Sequence, residues 1–391
     1  MMIRRLPLRG LALLILGALG LAACDADLFG PSSSSGGAPP PCVNGPTCCG
    51  LATLPETGTD AGAIPSRPNG APPPSGGKVV LAVSQIFFGD TDRQGAPSET
   101  AWQRYGLNID GKTTGLGSTD TCTPVTGAQC NALLDGDNGI DNAFGETVMP
   151  ILTTLDSTFS QTANAAIQQG APTLLVELDG TGSGASYTSM TGALYRAAPA
   201  SAVQWNGDDV RNVDPLSLVG GSIAQPTTVF PDGYMNGRSW VGMAPAGSAW
   251  LDLHIPVGGS ELPPVPIEHV QIVMQVAADG SSATGTLAGV IRTSDAVAWT
   301  QQWASAGVQN NCDGGYSAAL VQQVEQASDI MADGTNEPGH TCDGISIGLG
   351  FDAVAVKLGQ PQSVPGFVSP CSDAGRSASP NDAGAGEESD R

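Results

Sequence analysis

The chain has 391 residues, with 37 acidic side chains against 15 basic ones and a net charge of −22. Binding to nucleic acid depends on clustered Lys and Arg, and no basic stripe is present, so a nucleic-acid partner is set aside. The charge reads instead as a solubilising surface suited to a space outside the cytoplasm.

Arg4, Arg5 and Arg9 precede an apolar run from Leu11 to Ala23 that is broken only by small residues. Basic residues followed by an apolar stretch too short for an ordinary spanning helix predict a signal peptide over residues 1–23. The run ends in Leu21-Ala22-Ala23-Cys24, which resembles the lipobox of bacterial lipoproteins. The resemblance covers the N-terminus alone. It implies cleavage before Cys24, lipidation of the Cys24 thiol (traceable with palmitate) and attachment to a membrane of the bacterial cell envelope, on its extracytoplasmic side. Asp25 resembles an inner-membrane retention signal, and the choice between inner and outer membrane stays open. Pro31 to Pro74 is rich in Ser, Gly, Pro and Ala; such a composition buries no core and reads as a tether, assigned to residues 24–77.

The folded part is expected over residues 78–371, long enough for one large domain or two tightly fused ones. Val79–Val83 with Ile86–Phe88, Tyr105–Ile109 and Leu174–Leu178 have the content of short strands. Between them Phe144, Val148, Ile151, Leu152, Leu155, Phe159, Ala163 and Ile167 fall on one helical face, with Pro150 marking a first turn. Trp250–Ile255 alternates. A hairpin follows: Val270, Ile272, Met274 and Val276 share a face, Asp279-Gly280 turns, and Leu287 and Ile291 share a face on the return. Two helical stripes come next, one carrying Trp299 and Trp303, the other Leu320, Val324, Ala327 and Met331. Ile345, Ile347, Leu349 and Phe351 then alternate until the parity changes at Asp352, which predicts a bulge there. Many short antiparallel strands with few helices define a mainly β, α+β class, an antiparallel β-sandwich or jelly-roll-like core with helical insertions. Residues 372–391 form an acidic tail.

Removing Cys24 from the nine cysteines leaves Cys42, Cys48, Cys49, Cys122, Cys130, Cys312, Cys342 and Cys371, an even number that suits disulfides in an oxidising compartment. Nearness in sequence favours Cys122 with Cys130 and Cys312 with Cys342. Zinc is the rival, with His340 two residues before Cys342, although the usual zinc-ligand spacing is missing.

The most specific motif is Asp135-Gly136-Asp137-Asn138-Gly139-Ile140-Asp141-Asn142 with Glu146 beyond it. It resembles bacterial Asp/Asn-rich calcium loops, and the resemblance implies a calcium ion held by Asp135, Asp137, Asp141 and Glu146. It departs from the EF-hand pattern at Ile140, where that loop has glycine. The alternative is an Asx turn capping the helix near Phe144, with Asp141 or Asn142 as N-cap. Asp252, His254 and His269 are a weaker grouping, as are Trp205, Trp240 and Trp250 as a sugar-stacking platform. No nucleophile elbow or phosphate loop occurs. The leading expectation is a non-enzymatic, lipid-anchored binding or structural module, calcium-stabilised, with carbohydrate or another envelope protein as partner. Its rival is an extracytoplasmic hydrolase of glycan or polypeptide with carboxylate catalysis.

Overall fold

Alternating apolar and polar residues become strands through most of the folded chain. The structure, a computed structural model, describes residues 62–71, 76–129, 131–182, 184–243, 251–253, 256–257, 260–261, 264–307 and 317–364. In chain order the elements are β1 (Gly77–Phe87), α1 (Met149–Leu155), α2 (Phe159–Gln168), β2 (Leu174–Thr181), β3 (Gly192–Arg196), β4 (Val210–Val213), β5 (Thr228–Phe230), β6 (Tyr234–Asn236) and β7 (Ser239–Met243). They continue with β8 (Leu251–Leu253), β9 (Pro256–Val257), β10 (Ser260–Glu261), β11 (Val265–Val276), β12 (Ser282–Arg292), α3 (Thr293–Gly307), α4 (Ser317–Glu325) and β13 (Gly344–Pro361).

The mainly β, α+β class read from the sequence holds. One sheet, in the order β5-β3-β2-β1-β13-β12-β11-β7-β6, curls as a half-barrel with antiparallel neighbours along that path, while β4 pairs with β13 in parallel and β8 with β11 antiparallel. Its core is therefore enclosed by a single curled sheet and the helices packed on it. The two ends approach because β5 and β6 are neighbours in sequence, and Trp240 fills the space between them. Its indole Nε1 donates to Met190 O at 3.0 Å, and its ring meets Phe230 edge-on at 5.5 Å. Trp240 is thus a core residue with no exposed surface, not part of a sugar platform. Trp250 lies outside the described residues.

The predicted hairpin forms as read, with Ile272 opposite Leu287 and Val276 opposite Ala283. Val270, Ile272, Met274, Leu287 and Ile291 are all buried in the main core. The bulge expected at Asp352 sits elsewhere. β13 runs unbroken, and the extra residue is Ser84 in the neighbouring β1, where the pairing steps from Val83↔Ala353 to Gln85↔Asp352. That shift explains why Leu81 and Val83 share the core face with Ile86. The single helical stripe from Phe144 to Ile167 is divided into a π-turn (Phe144–Val148), α1 and α2, with Pro150 in the first turn of α1. Ala327 and Met331 lie beyond the end of α4.

Candidate functional site

β13 presents two chemically different faces. Ile345, Ile347, Leu349 and Phe351 point into the apolar core, while the intervening residues are Ser346, Gly348 and Gly350. The loop from Tyr105 to Asn142 packs at that second face. A Cβ on Gly348 would stand 2.1 Å from the Tyr105 carbonyl oxygen, so only glycine admits the loop. Asn142 pins it. Its Oδ1 accepts from Gly348 N at 2.9 Å and Gly145 N at 3.0 Å, and its Nδ2 donates to Trp102 O at 3.1 Å and Tyr105 O at 2.9 Å. The bond from Gly145 N, three residues on, is the capping bond expected of Asp141 or Asn142, and Asn142 makes it.

The predicted motif folds as a tight turn. Asn138 and Gly139 take positive φ of 56° and 82°, and a Cβ on Gly139 would meet Asn108 Nδ2 and the Lys112 carbonyl oxygen at 2.5 Å. Asp135 accepts from the Thr114 amide, and its own amide donates back to Thr114 O at 3.1 Å. Asp141 Oδ2 accepts from Ile109 N at 2.6 Å and Asp110 N at 3.4 Å. Glu146 sits in the π-turn, a form of helix frequent at functional sites, and its Oε1 accepts from Asn131 Nδ2 at 2.9 Å. Asp137 faces away from this group: its Oδ2 stands 3.7 Å from Arg104 Nε, whose side chain is exposed.

Two further carboxylates belong to the same environment. Asp110 holds the Lys112 amide at 2.7 Å. Asp329, in the segment after α4, accepts from the Ser346 amide at 2.8 Å and from the Ser346 hydroxyl. Burial is the main cause that raises Asp135, Asp141, Glu146 and Asp329. It carries Asp135 and Glu146 up to about 8, Asp329 up to about 7 and Asp141 well above the usual carboxylate range. The neighbouring charges add to it. Asp110 and Asp329 raise both Asp135 and Asp141, Asp135 raises Asp141, and Asp329 raises Glu146. The bonds from Thr114, Ile109, Asn131 and Ser346 oppose the rise without cancelling it.

Among the described residues none of these five acids forms an ion pair. Lys112, on the same loop, spends its ammonium on the Asp120 and Asn336 carbonyl oxygens. Buried oxygens are left over: Asp110 Oδ2, Glu146 Oε2 and Thr114 Oγ1 are inaccessible and have no hydrogen-bond partner. The five carboxylates influence one another without converging, and among the described residues no three His, Cys, Asp or Glu side chains are arranged to hold a metal ion. Chemically, acids buried in this way favour the protonated form.

The cysteine pairing differs from the expectation based on nearness in sequence. Cys122 is bonded to Cys342, 220 residues away, with Cα atoms 5.2 Å apart. The reason lies in the backbone: Thr123 N donates to His340 O at 2.7 Å and Cys342 N to Thr123 O at 3.0 Å, which lays the two segments side by side. Cys122 and Cys342 are therefore not available to zinc, and His340 is exposed. Cys130, Cys312 and Cys24 lie outside the described residues, as does His254. His269 stands beside Asp333, whose carboxyl is lowered chiefly by Thr335 and in part by that histidine.

The sequence motif pointed to Asp135, Asp141 and Glu146, and the fold places these together. It did not point to Asp110 or Asp329. Asp110 carries only the ordinary Asp-Gly turn signal, and Asp329 is brought in by the strand bonding of Ser346.

No protein-family model matches the chain, and neither curated proteins nor solved structures give a match.

Proposed function

We propose that this protein is a lipid-anchored module of the bacterial cell envelope, exposed outside the cytoplasm, which acts by binding or by structure and carries calcium as part of its folded state. The observation that carries the reading is the buried Cys122–Cys342 disulfide. Such a bond between distant segments belongs to an oxidising compartment, in keeping with the signal-peptide pattern ending at Cys24. Among the described residues no helix is long and apolar enough to cross a membrane, and attachment in this reading comes from lipid on Cys24. The partner is carbohydrate or another envelope protein. Against carboxylate hydrolysis stands burial: Asp135, Asp141 and Asp329 are 8%, 2% and 9% exposed, which keeps a polymer substrate away from them.

The test is Cys24→Ser in cells grown with a palmitate analogue. Wild type should incorporate the label and sediment with membranes, and the variant should be unlabelled and released, because stable anchoring needs two acyl chains or their equivalent. A variant that stays membrane-bound, together with an unlabelled wild type, defeats the reading.

A further inference from the structure

We infer that the end of the sheet at β6 is a recognition groove for an extended Pro-x-Arg-Pro segment of another protein, and that Pro65-Ser66-Arg67-Pro68 of this chain fills it as an internal competitor. The inference rests on the proposed function for its setting and deepens it by naming the chemistry of the partner.

Proline fixes its own φ near −65° and disfavours the helical region for the residue before it, and here two prolines do so three positions apart. Residues 63–68 accordingly belong to neither helix nor strand. Proline-fixed chain of this kind makes no internal hydrogen bonds, so its carbonyl groups are open to a receptor. The domain takes two of them in succession. Tyr234 donates its hydroxyl to Pro65 O, and Asn236 Nδ2 donates to Ser66 O at 2.9 Å. The next residue supplies charge. The Arg67 guanidinium divides between the Asp232 carbonyl oxygen at 2.6 Å and that of Thr188, with its carbon 4.7 Å from the centre of the Tyr234 ring. An aromatic side chain that lies against a Pro-x-x-Pro backbone is the general means by which such segments are recognised.

The receptor groups are set by the sheet and not by their occupant. Tyr234 and Asn236 are two apart on β6 and so project to one side, while Met235 between them enters the core. Thr188 is placed by the paired bonds of Tyr187 with Met235, at 2.8 and 3.0 Å, and by the bond from Met190 N to Gly233 O at 2.7 Å. The groove therefore outlasts the departure of residues 65–68. Those residues lie at the surface, with Ser66 and Arg67 exposed and Pro65 and Pro68 half-buried, so exchange opens no core.

Charge decides the kind of occupant. Carbonyl oxygens and the face of a tyrosine attract a cation, and the whole chain carries −22. Two carbonyl groups on separate segments suit the planar fork of arginine better than the single ammonium of lysine. A second copy gains nothing by exchange, because its own groove is already filled at the high effective concentration that a short covalent link gives. A segment of another protein enters when its added contacts outweigh that link.

The experiment uses the full-length protein extracted in detergent and a fluorescent synthetic peptide with the sequence of residues 62–71, read by anisotropy. The full chain carrying Pro65→Ala, Arg67→Ala and Pro68→Ala should bind the peptide at least about tenfold more tightly than wild type, whose groove is open only in the fraction of molecules that have released their own segment. Adding Tyr234→Phe to that variant, or placing lysine for arginine in the peptide, should each weaken binding about fivefold, the order expected for one lost hydrogen bond. A triple variant that melts cooperatively yet binds no peptide at about millimolar concentration overturns the groove, as does binding indifferent to both Tyr234→Phe and the lysine peptide. If the triple variant does not fold, wild type takes its place at the same peptide concentration: hydrogen exchange in 62–71 should accelerate as the segment is displaced, and unchanged exchange overturns the groove. Wild type that sediments as a dimer, and as a monomer with Arg67→Ala, makes a second copy the occupant and overturns the choice of partner. None of these readouts involves Cys24, so a failed anchoring test and a failed groove are told apart.

Discussion

The two faces of β13 show how one strand can serve opposite kinds of stability. On its core face Ile345, Ile347, Leu349 and Phe351 pack among hydrocarbon from β1, β11, β12 and the helices, and the gain there depends on area removed from water. On its other face Ser346 and Gly348 bind Asn142, Ala143 and Asp329, beneath an acid cluster with no cationic side chain paired to it. The first face is indifferent to protons and metal ions. The second is fastened by Asn142 and by the Cys122–Cys342 bond, but burial raises the acids around it and so makes its stability depend on their protonation. The same segment therefore links an unconditional core to a conditional loop.

The largest effect is expected on the apolar face. Trp240 fills the gap between the sheet ends, and Cβ atoms on Gly192 and Gly242 would lie 2.4 and 2.3 Å from its ring, so nothing can collapse into the space it leaves without backbone movement. Trp240→Ala should cost about 4 kcal/mol of unfolding free energy. Urea titrations at pH 5 and pH 7 should return the same loss, since no titrating group contacts the ring in the hydrogen-bonding or aromatic pairs it makes. A loss that changes markedly between the two pH values breaks the division between faces.

The acid face should show the reverse dependence. Asp135 and Glu146 titrate at about 8 in the fold and Asp329 at about 7, against roughly 4 in an unfolded chain. The folded state then binds more protons than the unfolded one between these limits, and stability falls as pH rises through that window. In chelator, each such group lowers stability by about 1.4 kcal/mol per pH unit, or about 3 kcal/mol between pH 5 and pH 7. Asp135→Asn should flatten the slope. Chelated wild type whose stability is level or rising over that interval would show that the cluster is not held protonated by burial.

The apolar face was legible in the sequence and the acid face only in part, for a physical reason. Period-two alternation in Val270–Val276 and Ile345–Phe351 is a local property of the chain, so strands and hairpin register could be read directly. The bulge was misplaced because β13 keeps its parity, with Ala353 still on the core face, while Val356 on the opposite face packs in a second apolar cluster and mimics a switch; the extra residue is Ser84 in the neighbouring strand. The Asp135–Glu146 motif was visible because its oxygens lie close in sequence. Asp329 was not, because it reaches the cluster through β13. The same holds for Cys122: nearness in sequence suggested Cys130, whereas the backbone pairing of Thr123 with the residues before Cys342 decided the bond. Asp137 fitted the spacing of the motif, but the positive φ at Asn138 and Gly139 carries the chain round so that its carboxylate meets Arg104 instead.

The smallest effect is expected where the presumed tether meets both regions. Residues 62–71 fall within the stretch read as tether, yet they are bonded to the domain. Arg67 donates to Asp232 O at 2.6 Å and to Thr188 O, and its guanidinium lies 4.7 Å from the centre of the Tyr234 ring. Tyr234 donates to the Pro65 carbonyl oxygen, and Asn236 Nδ2 to that of Ser66 at 2.9 Å. At the other end of the strap Gly62 packs on Ile140, inside the acidic motif. The arginine's own hydrogen bonds are exposed, so Arg67→Ala should cost only about 1 kcal/mol, which corresponds to roughly a fivefold change in local opening. Native-state hydrogen exchange should therefore accelerate about fivefold in 62–71 and in β6, while the amides of β13 exchange as before. Acceleration that extends to β13 would mean that the strap supports the whole domain; acceleration in neither segment would mean that Tyr234 and Asn236 hold it without the arginine.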